Sequence, residues 1–199
     1  MQACRLAAHD LACRRGDRVL FRGLSFALTP GEALHLAGAN GVGKSSLIRI
    51  LAGLLRAYAG SVEREGALAL ADERTALDGH LPLGRALEFW RAFDRAEHAT
   101  FDAAVETLGL RNLLDVPVRY LSPGQRTRAA LARTLLAGAP VWLLDEPLNG
   151  LDTATTTAVE NLVATHIRQG GIAVIAAHQR FALDGMARLE LARFEPADA

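Results

Sequence analysis

The stretch "EALHLAGANGVGKSSLIRILAGLL", residues 32–55, decides the fold. Apolar residues lead up to Gly38, a glycine-rich turn follows, and Leu47, Ile50, Leu51 and Leu54 then recur at helical spacing. Within it "GANGVGKS", Gly38–Ser45, matches G-x-x-x-x-G-K-[ST] in full. A strand before the motif and a helix after it are the context that gives the motif its meaning. Gly38, Gly41 and Gly43 let the backbone wrap so that its N–H groups face phosphate oxygens. The following helix adds its N-terminal dipole to the same anion. The phosphate-binding run is therefore Gly38, Ala39, Asn40, Gly41, Val42, Gly43, Lys44, Ser45 and Ser46. Lys44 supplies a compact positive charge to the β- and γ-phosphates, and Ser45 offers its hydroxyl to Mg²⁺.

A nucleotide hydrolase of this kind needs a partner acid at the end of another strand. "VWLLDEP", residues 141–147, supplies it: four apolar residues mark a buried parallel strand, and Asp145 ends it. Asp145 is assigned to the metal and Glu146 to polarising the attacking water, because neighbouring carboxylates at a strand end point different ways. The wider pattern agrees. Strand-like segments "RLAAHDLAC", "RVLF" and "LSFAL" precede residue 32, and "SVEREGALAL" reads as a further strand. Helical spacing fills about Pro82 to Leu114, a helix opens at Ser122, another runs from about Thr153 to Arg168, and "IAVIAA" is a second buried strand. This alternation gives an α/β fold with a parallel sheet and an inserted helical arm.

Composition sets the outer bounds. The chain has 199 residues, half of them hydrophobic, and a net charge of zero from 22 basic and 22 acidic side chains. One domain with a real core is expected, and long-range attraction to nucleic acid is not. Two cysteines, Cys4 and Cys13, make no disulfide framework and point to a reducing compartment. "MQACRLAAHD" carries no signal-peptide run, and the most apolar window, "LLAGAPVWLLDEP", falls short of the ~20 residues of a spanning helix.

"LSPGQ", residues 121–125, opens the helix after the arm. Ser122 and Gln125 form a capping box, and Pro123 takes the first helical position. Set between a P-loop and "VWLLDE", however, this pentapeptide resembles the signature of the ATP-binding cassette (ABC) ATPases. "NGLD", residues 149–152, and His178 after "IAVIAA" complete that family's order of motifs. The resemblance covers nearly the whole chain and implies an α/β P-loop NTPase core, a small antiparallel β subdomain and a helical subdomain inserted at about 74–135, all in one domain. It further implies that two copies pair head to tail around ATP. Ser122, Gly124, Gln125 and Asp152 then serve the nucleotide held by the other copy, and His178 joins Glu146 in catalysis. A P-loop small-molecule kinase leaves "LSPGQ" and His178 without a role. A Gly124→Asp substitution is expected to leave the fold intact, because a carboxylate suits a helix N-terminus.

Two departures stand out. The glutamine that the family carries after the strand following the P-loop helix is replaced, in "ALALADERTALDGHLPLGRALEFW", by Glu73 or Asp72. Glu73 is taken as the further Mg²⁺ ligand. "LACRRGDRV" holds no aromatic for the adenine, so the Arg14 or Arg15 guanidinium is the available stacking plane.

Within the family the chain looks most like the cytochrome c maturation haem-exporter ATPases (the CcmA family). The likeness lies in "AGANGVGKSSLIRILAGLL", "LSPGQRTRAALARTLL", "VWLLDEPLNGLD" and "AAHQRFALDGMARLEL". It implies a peripheral ATPase on the cytoplasmic face of the inner membrane. Its partners would be a separate integral-membrane (CcmB-like) subunit, other cytochrome c maturation components and a second copy of itself. A generic ABC exporter cassette and a soluble ABC assembly factor are the alternative readings.

Overall fold

The computed structural model describes residues 4–196, arranged as two sheets and five helices. Strand β1 (Arg5–Arg15) turns at Gly16 into β2 (Arg18–Leu28), and β4 (Ala59–Glu65) flanks β1 on its other side. This antiparallel sheet has the order β2–β1–β4. The second sheet is parallel throughout and has the order β5–β6–β7–β3–β8. Its strands are β3 (Ala33–Ala37), β5 (Leu68–Ala71), β6 (Val141–Asp145), β7 (Ile172–Ala176) and β8 (Ala187–Glu190). Helix α1 (Lys44–Leu51) follows β3. Between β5 and β6 lie α2 (Leu83–Phe93), α3 (His98–Thr107) and α4 (Pro123–Ala137), and α5 (Thr153–Arg168) joins β6 to β7.

The central strands read as unbroken apolar runs because both of their faces are covered. Alternate side chains divide between two cores. Val141, Leu143, Ile172, Val174, Leu34 and Leu36 pack with α1 and the antiparallel sheet. Trp142, Leu144, Ala173 and Ile175 pack with the helices on the opposite face. Each fully buried Leu or Ile contributes ~1.5–3 kcal/mol, so this central layer is the main source of stability. Helices α2 and α3 both pack on α4, which ties the helical arm to the sheet.

Register brings the site together. Leu36 pairs with Ala176, and Asp145 pairs with Ala176 from the other side. The C-terminal ends of β3, β6 and β7 therefore share one edge, the place where open α/β sheets bind ligands.

Three sequence expectations change, and one strand is added. "RVLF" and "LSFAL" are one strand, β2, bent where Gly23 takes φ 70. "SVEREGALAL" splits at Gly66 (φ 91) into β4 and β5, which belong to different sheets. Helix α1 ends at Leu51, and Gly53 at φ 77 turns the chain so that Leu54 leaves the helix and stands 69% exposed. The edge strand β8 adds a pairing that its sequence, "ARLE", does not announce by any apolar run.

Candidate functional site

The P-loop is held open by its glycines. Gly38, Gly41 and Gly43 take φ values of 146, 85 and 111, conformations that side chains strain to adopt. A Cβ on Gly38 would also meet Val42 Cγ1 at 2.9 Å, and one on Gly43 would press on Leu20 and Phe21 at 3.3 Å. Lys44 is 6% exposed and donates to the carbonyls of Gly38 (2.8 Å) and Ala39 (3.2 Å). Its ammonium group thus spans the mouth of the loop.

Asp145 and Glu146 differ sharply, although they are adjacent. Burial pushes the Asp145 carboxyl above the usual carboxylate range, and Glu146 and Asp72 nearby add to the rise. A hydrogen bond from Ser45 and the charge of Arg49 oppose it. Asp145 Oδ1 is buried with no hydrogen-bond partner among the described residues. A buried oxygen of this kind, with the Ser45 hydroxyl beside it, fits a hard divalent cation such as Mg²⁺. Glu146 sits at φ 51, in the left-handed region, with its N–H bonded to Ala176 O at 2.7 Å. That turn carries its carboxylate between Lys44 Nζ (3.7 Å) and His178 Nδ1 (2.8 Å). Gln179 Nε2 stands 3.4 Å from the other ring nitrogen of His178.

The two replacement acids part company. The Asp72 side chain is 5% exposed, accepts from Arg74 N at 3.0 Å and lies 3.6 Å from Arg49. Glu73 is 81% exposed and reaches the same arginine at 3.4 Å. Asp72 is the one whose charge Asp145 feels. A cavity of about 250 Å³ between this loop and α4 is lined by Asp72, Glu73, Arg126, Asp145, Glu146 and Asn149, among others.

Ser122 caps α4 as the sequence indicates. Its Oγ accepts from Gln125 N at 3.3 Å, and Gln125 Oε1 accepts from Ser122 N at 2.8 Å. The Gln125 amide oxygen is thereby committed to the cap. Gly124 is buried, and a Cβ there would lie 2.1 Å from Gly150 O. The expectation that Gly124→Asp spares the fold is therefore wrong, because any side chain strikes the backbone of the Asn149–Asp152 turn. Asp152 caps α5, accepting from Thr155 N at 2.7 Å, and this bond holds its carboxyl below the usual range.

Chemically, the edge combines a glycine-rich loop at the start of α1, one buried cation, a buried carboxylate with an unpartnered oxygen and a second carboxylate paired with imidazole. That set suits metal-assisted hydrolysis of a nucleoside triphosphate. The model of the ABC transporter family matches residues 21–149. The chain belongs to the ABC transporter family. A cytochrome c biogenesis ATP-binding export protein (CcmA) of Novosphingobium aromaticivorans is 59% identical over 98% of the chain and 100% of that relative. Its counterpart in Zymomonas mobilis is 48% identical, covering 96% of the chain and 86% of the relative. These relatives set the chain within the CcmA group of the ABC family. A chain of a solved inward-facing, metal-chelate type ABC transporter superposes with a TM-score of 0.76 at 24% identity, over 96% of this chain and 81% of that one. It shares the fold. As an ABC ATPase the chain binds and hydrolyses ATP in an export system that works with a membrane partner. No helix among the described residues is long and apolar enough to cross a membrane.

Sequence reasoning missed one aromatic. The Arg14 guanidinium lies 4.8 Å over the Tyr58 ring. Tyr58 comes from the segment before β4, so a local reading of "LACRRGDRV" had no signal for it.

Proposed function

We propose that this chain drives haem export for cytochrome c maturation, as the ATPase of a membrane complex. The CcmA relatives that match along 95–100% of their length support the pathway. The observation that carries the chemistry is Glu146, held between Lys44 and His178 at the strand edge.

The P-loop, Gly38–Ser46, wraps the phosphates, and Lys44 leaves Glu146 for the β- and γ-oxygens. Ser45 and Asp145 would hold Mg²⁺, with Asp72 better placed than Glu73 to share its charge because it is buried and near. When bound, Mg²⁺ neutralises phosphate charge. Glu146 takes a proton from the water that attacks the γ-phosphorus, and the bond to the bridging oxygen breaks to leave ADP and phosphate. A proton on His178 Nδ1 steadies Glu146; Nε2 is an acceptor in that neutral tautomer, so donation from it to the γ-phosphate would require the imidazolium. Ser122, Gly124 and Asp152 face the nucleotide of a second copy. Gln125 acts through the cap that it forms with Ser122.

The helical arm supports a membrane partner. Phe89 and Phe93 on α2 are 60% and 69% exposed and cluster with Trp90 at ring separations of 5.4–6.3 Å. Trp90 Nε1 donates to Ala76 O at 2.9 Å, so this apolar patch is tied to the loop that carries Asp72. A CcmB-like subunit seated there, on the cytoplasmic face of the membrane, would sense that loop. Purification of the tagged chain from membranes tests the reading. One integral ABC subunit should copurify, and haem in the periplasmic fraction should fall on Lys44→Ala. A chain that stays wholly unattached, with haem delivery unchanged in the variant, would refute it.

A further inference from the structure

The opening turn of α4 and the turn after Glu146 are locked together within one chain, and a single hydroxyl makes the polar lock. Thr127 Oγ1 stands 3.1 Å from Asn149 O and 3.2 Å from Pro123 O. A hydroxyl has one proton to donate, so these two carbonyls compete for it at nearly equal distance. Pro123 O lies one turn back on the same helix and is the acceptor that a helical threonine finds unaided. Asn149 O belongs to the other element. Asn149 N in turn donates to Glu146 O at 3.1 Å, which closes the turn onto the carboxylate residue. Beside this link the backbones of Gly124 and Gly150 meet with no room for a side chain on either: a Cβ on Gly150 would lie 3.1 Å from Gly124 N and Cα.

We propose that Thr127 is a positioning residue that couples the two ATP sites of a cassette pair, by tying the signature turn that one nucleotide meets to the Glu146 turn that serves the other. This rests on the head-to-tail reading above. In that reading the α4 end of a chain answers to its partner's nucleotide, whereas its Glu146 acts on its own. When Thr127 donates to Asn149 O, a shift of the α4 end is passed to the Glu146 turn. When the proton returns to Pro123 O, the two turns lose this polar link and touch through packing, the glycine contact included. Arg126 and Arg128 flank Thr127 but reach elsewhere, to Arg119 O and to the carbonyls of Leu108 and Gly109. Thr127 is therefore the side chain of this helix turn that addresses Asn149.

Steady-state ATPase of the purified full chain against ATP concentration tests the proposal, with Thr127→Val and Thr127→Ser. Valine keeps the shape and the branched Cβ but removes the proton, and Asn149 O stays accessible to water. The Hill coefficient should exceed unity in the wild type and fall to unity in the valine variant. The variant's kcat should drop by about three- to tenfold, the worth of one net hydrogen bond. KM and the unfolding midpoint should stay near wild type, and serine should restore both kinetic values. A valine variant with wild-type cooperativity and kcat overturns the proposal. So does a loss that serine shares, which would assign the effect to packing. A wild-type chain that hydrolyses ATP without cooperativity and forms no ATP-dependent dimer would overturn the head-to-tail reading itself. That outcome is visible before any variant is made.

Discussion

At the scale of single residues, environment separates side chains that composition treats alike. Asp145 is pushed up by burial, whereas Asp152, exposed at a helix start, is held down by the Thr155 amide. The six histidines divide in the same way. His178 reaches Glu146, while His35 is a core residue 3.1 Å from Ala177 O. His166 lies flat on Trp142, with ring centroids 3.8 Å apart, and has Nε2 3.2 Å from Ile172 O. Gly171 leaves it that space, since a Cβ there would lie 2.2 Å from the ring. Burial outweighs the bonds to Ile172 and Pro140 and lowers the His166 pKa. The folded state thus binds a proton less readily than the unfolded chain. The sign follows: this contribution to stability is complete above the unfolded pKa of about 6.5 and is lost as pH falls through the lower folded value. The unfolding midpoint should therefore drop as the buffer is taken from neutral to mildly acid. His166→Phe, which keeps the stack and removes the titration, should flatten that part of the curve. An equal slope in the variant would assign the pH response to other groups. Lys44, Glu146 and His178 stood out in the sequence because their motifs are local strings. The partner of Arg14 did not, because stacking on Tyr58 depends on a pairing between distant strands.

At the scale of elements, α4 shows why a good helix start is more than a cap. Its capping box was legible in "SPGQ", since the spacing of Ser122 and Gln125 alone specifies it. The approach of Gly124 to Gly150 was not, because nothing in the sequence says which turn will lie against the helix. Gly124→Ala should therefore destabilise the protein by roughly 1–3 kcal/mol through forced displacement of the Asn149–Asp152 turn. Chemical denaturation measures this, and a change under a few tenths of a kcal/mol would mean that the turn yields freely. The same difference separates the strands that were read well from those that were not. β6 and β7 announce themselves because two covered faces demand apolar residues throughout. The antiparallel sheet covers one face only, and β4 is exposed along most of its length, so its border with β5 rests on Gly66 rather than on any change in hydropathy. β8, four residues at a sheet edge, has the weakest signal of all.

At the scale of the whole molecule, one edge of the parallel sheet collects phosphate loop, acids and histidine, while in the head-to-tail pair proposed above the α4 turn presents a cap whose anion arrives from outside. A site assembled from two chains has a signature that no single-chain site can imitate. Ser122→Asp is a suitable disruptor. Aspartate caps helices about as well as serine, Ser122 is exposed, and the dipole at the α4 start favours a carboxylate by roughly 0.3–1 kcal/mol. The variant should fold, bind ATP in the monomer and hydrolyse little, because its carboxylate meets the incoming γ-phosphate. Lys44→Ala should also hydrolyse little, because its own loop cannot hold the phosphates. In a mixed pair, the site built from the Lys44→Ala loop and the Ser122→Asp turn carries both defects, and the other site carries neither. Equal mixing makes half of the pairs mixed, so about a quarter of all sites are intact by simple combination in a twofold dimer. Activity should rise on mixing, from near zero in each variant alone to at most about that fraction of wild type, and below it where the intact site depends on its defective neighbour. A mixture that remains inactive, although both variants fold and pair, would return the α4 turn to the plain role of a helix cap.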